Sequence, residues 1–344
     1  MLTTWKTMGT RMKLSAEDLR QLVMRIFLEN GCSETTARAL THTVMTAEVA
    51  GTLSHGVFRM PGYVSSLRAG WVDGKAEPIV EDRAPGVVTV DGANGFSQVA
   101  QEAGRDLVMD KARHCGIAAL SIRNAHHYAA LWPDLEPFGE AGLAGLAFVN
   151  SLSLMAPWGG TRALLGTNPM GFVWPRAGKP PLLWDQASSV MAHGEVLMHA
   201  RDGKSLPPGV GYDAEGRETT DPAGIRDGGA LASFGKHKGT SIALMVELLA
   251  AGLGGGLFGF EDQSRKLPPP KTCSAGMTII VIDPARFGDG VIERAEDMFA
   301  EYATNEGARL PGERRHGNRD RSAAQGLEVA DAQYEKLMEL LPAG

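Results

Sequence analysis

The sequence predicts a mixed α/β protein that begins with a helical lobe. Two amphipathic segments with helical spacing open the chain, and from residue 86 strand-like and helical segments alternate. The 344 residues suffice for two or three packed lobes, and 43% of them are hydrophobic, as is typical of globular proteins. We therefore expect an ordered globular chain with a substantial core.

The opening helices have clear boundary signals. Ser15 is an N-cap residue followed by acidic residues, apolar residues then recur at helical spacing, and Gly31 ends the helix. Ser33 begins a second helix that is predicted to run to about Ala50. A Ser-His-Gly turn follows, and residues 57–67 are predicted to resume a helix.

Strand-like and helical segments then alternate along the chain. The predicted strands are residues 87–90, 117–122, 144–149, 182–184 and 278–282. The predicted helices are residues 98–111, 135–140, 241–253, 290–302 and 331–341. Two stretches rich in glycine, proline and charge, residues 200–229 and 259–275, are predicted to be long loops.

Composition excludes several classes of function. The net charge is −6 and no basic stripe is interleaved with aromatic residues, so no nucleic-acid partner is expected. The longest apolar run, Ile242–Ala251, is too short to span a bilayer, and residues 1–12 look like a loose extension without a signal sequence. We therefore expect a cytoplasmic protein with no membrane partner.

Three cysteines, Cys32, Cys115 and Cys273, lie far apart and form no CxxC pair, so neither a metal site nor a disulfide framework is predicted. A reducing cytosol fits this pattern. Four arginines near the C-terminus are predicted to lie on a solvated segment. They are Arg314, Arg315, Arg319 and Arg321.

The common nucleotide and hydrolase motifs do not account for this chain. Gly254, Gly256 and Gly259 satisfy GxGxxG, but they follow a predicted helix instead of a strand, so we interpret them as a helix end and loop. Walker A, HExxH and GxSxG motifs are absent. These observations argue against a standard Rossmann dehydrogenase, a P-loop enzyme, a zincin and an α/β hydrolase.

Polar and titratable residues gather on several stretches that also contain glycine or proline. One of them, residues 124–136, has two adjacent histidines and a tryptophan between a predicted strand and a predicted helix. Such residues on loops indicate binding. The pattern predicts an enzyme whose site is assembled from many loops.

Ser54, His55 and Arg59 form the first candidate group. If the segment is helical, His55 and Arg59 share one face, because they are four residues apart. A proton donor beside a cation suits a substrate with a carboxylate and a reducible double bond. The alternative is a capped turn between two helices.

Two further stretches allow a functional and a structural interpretation. His193-Gly194-Glu195 is either an ordinary loop or carries a carboxylate that orients a histidine. Residues 235–239 precede a predicted helix, where backbone N–H groups and two lysines make an anion site, suited to a cofactor phosphate. The alternative for this second stretch is a charged turn.

Together these motifs resemble the malate/L-lactate dehydrogenase superfamily of the non-Rossmann type, from about residue 14 to the end of the chain. The resemblance rests on Ser54-His55-Gly56 with Arg59, residues 156–160, residues 165–169, Lys238-Gly239 before an apolar helix, and residues 310–313. Within the superfamily, other stretches resemble the branch that reduces Δ1-piperideine-2-carboxylate and Δ1-pyrroline-2-carboxylate. They are residues 126–136, 206–209, 234–239 and 245–251.

The resemblance implies a family-specific NAD(P)-binding fold, which accounts for the missing glycine fingerprint. With the predicted elements, it divides the chain into a helical lobe of residues 1–84, joined by helices of residues 288–344, and an α/β domain. This domain, residues 85–287, would bind the cofactor and the substrate. The resemblance also implies a homodimer with the cofactor near the subunit interface.

The implied reaction is hydride transfer from NADPH, with NADH possible, to C2 of a cyclic imino acid, giving L-pipecolate or L-proline. An imine accepts hydride poorly until its nitrogen is protonated, so a general acid is needed. Two alternatives stay open. One is a 2-oxo acid reductase of the same superfamily, and the other is a catalytically silent paralogue that binds the cofactor or a small acid.

The resemblance also implies roles for individual residues. His55 matches the proton donor, Ser54 and Glu195 match a relay with it, Arg59 matches the group that pairs with the substrate carboxylate, and Thr167 matches a substrate contact. A larger set matches cofactor contacts. These are His126, His127, Tyr128, Ala129, Ala130, Asp185, Gln186, Ala187, Gly235, Lys236, His237, Lys238, Gly239, Thr240, Ser241, Gly312 and Glu313.

The chain departs from the family pattern at a few positions. Glu195 stands where the branch usually carries aspartate, and the extra methylene displaces the carboxylate. Residues 185–188, the preceding Trp184, and Trp158 also differ from the usual residues. These departures bear on the preference for substrate and cofactor and leave the predicted fold unchanged.

Overall fold

The computed structural model describes residues 11–127, 129–264 and 271–342. The helices are α1 (Ala16–Glu29), α2 (Glu34–Val49), α3 (Met60–Arg68), α4 (Ser97–Cys115), α5 (Trp132–Glu140), α6 (His193–Arg201), α7 (Pro222–Arg226), α8 (His237–Glu247), α9 (Val291–Ala303), α10 (Glu313–Gln325) and α11 (Asp331–Met338). The strands are β1 (Arg11–Leu14), β2 (Ile79–Ala84), β3 (Val87–Phe96), β4 (Ile117–His127), β5 (Ala144–Val149), β6 (Met170–Arg176), β7 (Lys179–Gln186), β8 (Gly211–Tyr212), β9 (Glu218–Thr219), β10 (Ala230–Leu231), β11 (Cys273–Ile282) and β12 (Leu327–Ala330).

The opening helices form as predicted. The Ser15 hydroxyl accepts a hydrogen bond from the Asp18 N–H at 3.0 Å and caps α1. Ser33 caps α2 in the same way, through the Thr36 N–H at 3.2 Å. Two short 3-10 turns, Leu53–His55 and Val57–Arg59, then lead into α3.

Seven of the described strands form the central sheet, in the order β2-β3-β4-β11-β5-β6-β7. Only β3 and β4 run parallel to each other, and α4 makes the crossover between them. The other neighbouring pairs are antiparallel. The predicted α/β class is therefore confirmed, and the sheet differs from the mostly parallel Rossmann sheet.

Some predicted elements were wrong. Residues 11 and 12 belong to β1, which pairs with β12, so they are not a loose extension; the first ten residues lie outside the described residues. The stretch 200–229 contains β8, β9 and α7, so it is not one long loop. β6 and α10 had no predicted counterpart.

The glycine-rich segment after α8 agrees with the prediction. A π-helical turn, Leu248–Gly252, continues α8, and residues 253–259 then form turns and loop. Gly254, Gly256 and Gly259 therefore follow the end of a helix, as predicted, and the element directly before them is not a strand. In contrast, Cys273–Ala275 belong to β11, so the predicted loop ends earlier, and residues 265–270 lie outside the described residues.

The buried side chains form three clusters. One lies around the central sheet, and a second joins α1, α2 and α3 to β12 and α11, through residues such as Leu327, Val329 and Leu337. The third, smaller cluster includes Leu154 and Val196 and lies between the β5–β6 connection and α6. α9 packs on β6, so the segment after residue 288 contacts both the sheet and the helical lobe.

Candidate active site

Two adjoining cavities of about 810 Å³ and about 730 Å³ form one cleft beside the Ser-His-Gly turn. Such volumes are typical of sites for small molecules and cofactors. The residues shared by both cavities lie at the centre of the cleft. They are His55, Arg59, Ala129, Thr167, Pro169 and His193.

His55 and Ser54 meet as the sequence analysis expected. Ser54 is buried, and its hydroxyl is hydrogen-bonded to His55 Nδ1 at 3.0 Å. Burial is the main cause that lowers the pKa of His55 to about 3, and the neighbouring Arg59, His127 and Arg315 lower it further. The imidazole is therefore neutral at pH 7 when the cleft holds no counter-charge, and a bound anion would raise its pKa.

A buried carboxylate, that of Glu48, holds the backbone of the Ser-His-Gly turn. Glu48 of α2 accepts a hydrogen bond from the Val57 N–H at 2.9 Å. A side chain on Gly56 would overlap this carboxylate, which explains the glycine of the Ser-His-Gly motif. Burial raises the pKa of Glu48 to about 7. Sequence reasoning missed Glu48, although its position on the inner face of α2 was a signal.

The start of α6 packs against Arg59. A Cβ on Gly194 would lie 2.7 Å from an Arg59 guanidinium nitrogen and 3.4 Å from Ser54 Cβ, so glycine permits this close approach. Residues 193–195 are thus the first turn of a helix and not a loop. Glu195 is exposed and lines the cleft, but no hydrogen bond or ion pair connects it to Ser54 or His55 in the described residues. Its place in a relay stays a prediction.

Thr167 lies on a rigid turn that a buried network holds. Its N–H donates to the Ser151 hydroxyl at 3.1 Å. The next residue, Asn168, has a left-handed backbone with φ of 36°, and its amide donates to Glu247 at 2.6 Å. Glu247 also accepts from Asn150 at 3.0 Å. The Gly-Thr-Asn-Pro motif therefore shapes the floor of the cleft, and Thr167 lines both of its cavities.

Asp185 and Arg315 form an ion pair at one end of the cleft. Their side chains meet at 2.8 Å, and Asp185 also accepts from the Leu131 N–H at 3.0 Å. Burial raises the pKa of Asp185, whereas Arg315 and the backbone donors lower it. Gln186 and Ala187 continue the same wall.

Two of the C-terminal arginines, Arg315 and Arg319, are partly buried and paired, so the prediction of a solvated segment was wrong for them. The guanidinium groups of Arg315 and Arg319 lie 5.1 Å and 4.9 Å from the centre of the Trp132 ring. Arg319 also forms a two-point ion pair with Glu136, with one contact at 2.6 Å. The sequence prediction failed because these partners lie about 130 to 185 residues away along the chain.

The adjacent histidines lie on β4 and not on a loop, so that prediction was wrong. His127 lines the cleft, and its Nε2 is 3.1 Å from Asp134. The Ala129 N–H donates to His127 Nδ1 at 3.4 Å, so the ring proton is placed on Nε2, facing Asp134. Ala129 and Ala130 line the cleft beside it.

His126 lies apart from the cleft. Its ring is buried, its Nε2 is 2.9 Å from the Asn94 amide oxygen, and its edge meets Trp71. Burial lowers its pKa. His126 lines neither cavity of the cleft. Tyr128, the third residue of this predicted group, lies outside the described residues.

The predicted anion turn of residues 235–241 adjoins the cleft but does not line either cavity. Gly235 and Lys236 have left-handed backbones, with φ of 52° and 63°, and the Ser233 hydroxyl fixes the turn by donating to the Lys236 carbonyl at 2.8 Å. The Phe234 N–H donates to the Ser188 carbonyl at 3.0 Å. This bond places the turn next to the Asp185–Ala187 wall. The turn includes His237, Lys238, Gly239, Thr240 and Ser241.

Gly312 and Glu313 also lie outside the two cavities. A Cβ on Gly312 would lie 2.9 Å from the Leu183 carbonyl, so the start of α10 packs tightly on β7. Glu313 accepts from the Leu310 N–H at 3.1 Å. Cofactor contact by these two residues therefore stays a prediction.

The cleft contains two residues that the sequence analysis did not assign to a site, Lys271 and Cys273. Lys271 is buried and its amine donates to the Ser65 hydroxyl at 2.8 Å. Cys273 lines the same cavity, and burial raises the pKa of its thiol to about 12, so it is not a nucleophile at neutral pH. No local motif marks either residue, because Cys273 reaches the cleft through the pairing of β11 with β4, and Lys271 lies just before that strand and contacts the distant Ser65.

None of the described helices is both long and apolar enough to cross a membrane. Likewise, the described histidines, cysteines and acids form no group of three that could hold a metal ion.

Comparison with known proteins identifies the family. A profile of the malate/L-lactate dehydrogenase family matches residues 14–338. A Δ1-pyrroline-2-carboxylate/Δ1-piperideine-2-carboxylate reductase of Pseudomonas syringae pv. tomato is 48% identical over 328 residues, covering 95% of this chain and 96% of the relative. A reductase of the same name from Pseudomonas putida is 47% identical over 334 residues, covering 97% of this chain and 98% of the relative.

A solved structure gives the same result. The crystal structure of Δ1-piperideine-2-carboxylate reductase from Pseudomonas syringae pv. tomato superimposes with a TM-score of 0.92 at 47% identity, covering 96% of this chain and 99% of that one. The chain therefore belongs to the malate/L-lactate dehydrogenase family, and the resemblance found in the sequence is confirmed.

Proposed function

We propose that this chain is an NAD(P)H-dependent reductase that transfers hydride to C2 of a cyclic imino acid. The substrate would be Δ1-piperideine-2-carboxylate or Δ1-pyrroline-2-carboxylate, and the product L-pipecolate or L-proline. The observation that carries the proposal is the placement of His55, hydrogen-bonded to Ser54, beside Arg59 at the centre of the cleft. The names of the relatives support the same substrate class.

Arg59 would bind the substrate carboxylate. Its guanidinium group is held in place by the start of α6, and a bidentate pair with a carboxylate would fix the face of the ring that is presented for reduction. The same carboxylate would partly cancel the positive charge of Arg59, which is one cause of the lowered pKa of His55. Binding of the substrate would therefore raise the pKa of the proton donor.

His55 would then hold the proton at the imine nitrogen. Its Nδ1 is bound by the Ser54 hydroxyl, so the free Nε2 is the atom to face the substrate. Thr167, on its rigid turn, would contact the bound substrate. Glu195 would complete the relay only if its side chain turned toward Ser54.

The residues present fit a nicotinamide dinucleotide. The N–H groups of Lys238, Gly239 and Thr240 at the start of α8 donate to carbonyls of the preceding turn, for example Gly239 to Phe234 at 2.9 Å. The amines of Lys236 and Lys238 at this helix start are therefore the groups proposed to meet a phosphate. The bound dinucleotide supplies the hydride. We propose NADPH, with NADH as the alternative, and steady-state kinetics with both coenzymes test this choice.

The deciding experiment measures NADPH oxidation with Δ1-piperideine-2-carboxylate, Δ1-pyrroline-2-carboxylate and pyruvate in parallel. Turnover of either imine supports the proposal, and the faster one identifies the ring size. Turnover of pyruvate alone would show that the substrate is a 2-oxo acid and not a cyclic imine. Cofactor binding without turnover of any compound would favour the silent paralogue.

We also propose a homodimer. Several apolar side chains on and after α8 are exposed, including Leu248 at 54%, Leu253 at 66% and Phe260 at 61%. A face of this kind marks an interaction site. Light scattering after size exclusion tests the mass, and a monomer at micromolar concentration would contradict the proposal. The cytoplasmic location stays a prediction, with which the three free cysteines agree.

A further inference from the structure

A third cavity lies outside the catalytic cleft, between α1, α2, α4 and α5. Its volume is about 790 Å³, and it shares no lining residue with the two cavities of the cleft. We call it the helical-lobe cavity. Met24, Leu28, Pro133 and Pro137 supply apolar contacts in its lining. Its volume alone would accommodate a metabolite.

Buried polar groups without partners occur in this lining. Gln98 is 4% exposed and Gln101 is 2% exposed. Both amide atoms of Gln98, Nε2 of Gln101 and Nε of Arg105 have no hydrogen-bond partner among the described residues. Buried polar groups are almost always satisfied in folded proteins, so this group needs a partner that the chain itself does not supply.

The missing partner has a definite chemistry. The unsatisfied atoms are three N–H donors and one carbonyl acceptor. A carboxylate accepts from several donors, and an amine donates to the single acceptor. Four arginines and four acidic residues line the cavity, so its formal charges balance, and a polyphosphate is a poor match. A zwitterion with an apolar body is the best match.

The cavity is connected to the catalytic cleft through one ion pair. Asp134 lines the helical-lobe cavity, and its carboxylate lies 3.1 Å from His127 Nε2. The His127 ring also lines the catalytic cleft, in the same cavity as His55. A ligand whose amine pairs with Asp134 would weaken the Asp134–His127 contact and so change the surroundings of His55.

We propose that the helical-lobe cavity binds a free amino acid with an apolar side chain or ring, and that this binding changes turnover through the Asp134–His127 pair. The carboxylate of the ligand would accept from Gln98, Gln101 and Arg105, and its amine would donate to the Gln98 carbonyl and to the Asp134 carboxylate. The apolar part would lie against Leu28 and the two prolines. Including the product-like amino acids among the probes rests on the proposed function.

Calorimetry with L-proline, L-pipecolate, L-leucine and L-phenylalanine tests the site. The Arg59→Ala chain is used beside the native chain, because it removes carboxylate binding in the catalytic cleft. We expect at least one amino acid to bind both chains with the same Kd within threefold. Its Kd should rise at least tenfold in Gln98→Leu/Gln101→Leu, and phenethylamine and isoamylamine, which lack the carboxylate, should bind at least tenfold more weakly.

Leu28→Trp is the matched control, because residue 28 is 43% exposed and a larger side chain there narrows the cavity without touching the buried amides. This variant should keep its basal rate and its melting temperature but lose binding. In the native chain the bound amino acid should change kcat/KM for the substrate at least twofold, and in Leu28→Trp it should not.

Several results would overturn the proposal. No heat with any amino acid would remove the site, and binding that disappears in Arg59→Ala would place the ligand in the catalytic cleft. Binding without any change in kcat/KM would remove the coupling. A monomeric mass for Leu28→Trp beside a dimeric native chain would assign the cavity to a second copy. If no imine is reduced, the binding results can still be interpreted, because calorimetry does not depend on turnover. The failure of the proposed function can therefore be told apart from the failure of this proposal.

Discussion

Two carboxylates, Glu48 and Asp185, each hold a backbone segment that borders the catalytic cleft, and they differ in their surroundings. In the described part of the chain, Glu48 accepts a hydrogen bond from the Val57 N–H and pairs with no cation. Asp185 accepts from the Leu131 N–H and also from Arg315 at 2.8 Å. Burial raises the pKa of both. Asp185 has a cation, Arg315, that compensates its charge, whereas Glu48 has none in the described part of the chain. Glu48 is therefore the carboxylate that titrates near neutral pH.

The largest effect is expected at His55, which lines the cleft that both carboxylates border. His55→Ala should reduce kcat by about 10²–10⁴, the usual contribution of a general acid. Single-turnover kinetics with saturating imine measure it. Ser54→Ala serves as the comparison, because it keeps the ring and removes only its hydroxyl partner. A His55→Ala chain with nearly native turnover would remove His55 from the chemistry.

Removing Arg315, the cation that pairs with Asp185, should lower the free energy of unfolding. Arg315→Met leaves a buried carboxylate without its cation, and breaking a buried pair in this way costs about 3–5 kcal/mol. Urea unfolding at pH 7 measures the loss. Arg321→Met is a suitable control, because Arg321 is exposed. Equal stabilities of the two variants would mean that the Asp185 pair contributes nothing.

The contribution of Glu48 to the free energy of unfolding should instead depend on pH. The native chain binds more protons than the unfolded chain between pH 4.5 and 7, because the pKa of Glu48 rises from 4.5 to about 7. Its contribution to the free energy of unfolding therefore falls by about 3 kcal/mol as the pH rises through that window.

Glu48→Gln removes this titration and keeps an oxygen that accepts from the Val57 N–H. We expect the variant to gain stability relative to the native chain as the pH rises from 4.5 to 7. Urea unfolding at several pH values measures the difference. A constant difference across the window would show that Glu48 does not titrate there, and the contrast with Asp185 would then fail.

The smallest effect is expected at Glu195, which is exposed and lines the cleft. Glu195→Asp should increase kcat by a few-fold if the extra methylene keeps the carboxylate from Ser54. Steady-state kinetics over pH compare the two chains. A clear loss of activity would show instead that the cleft has adapted to glutamate.

Local signals predicted part of this structure. The caps at Ser15 and Ser33, and the Ser54, His55 and Arg59 group, depend on neighbours a few residues away, so the sequence alone identified them. α10 was missed because none of its residues is buried, so it has no apolar face to recognise. β6 was missed although its residues alternate between partly and fully buried.

Contacts between distant residues set the limit of prediction. The sequence alone did not show that β4 continues through His127, because its last residues pair with β11 nearly 150 residues later. Glu48 is meaningful only when the Val57 backbone is seen above it. Arg315 and Arg319 looked like solvent-exposed charges until their distant acids were located.

The pairing of β1 with β12 also orders events during synthesis. The core of the helical lobe includes Leu327, Val329 and Leu337, which leave the ribosome about 300 residues after α1. The sheet, in contrast, is complete once β11 has been made. His55 is therefore synthesised early, but the lobe that carries it closes last, so a chain interrupted before residue 327 would have a finished sheet beside an unfinished catalytic turn.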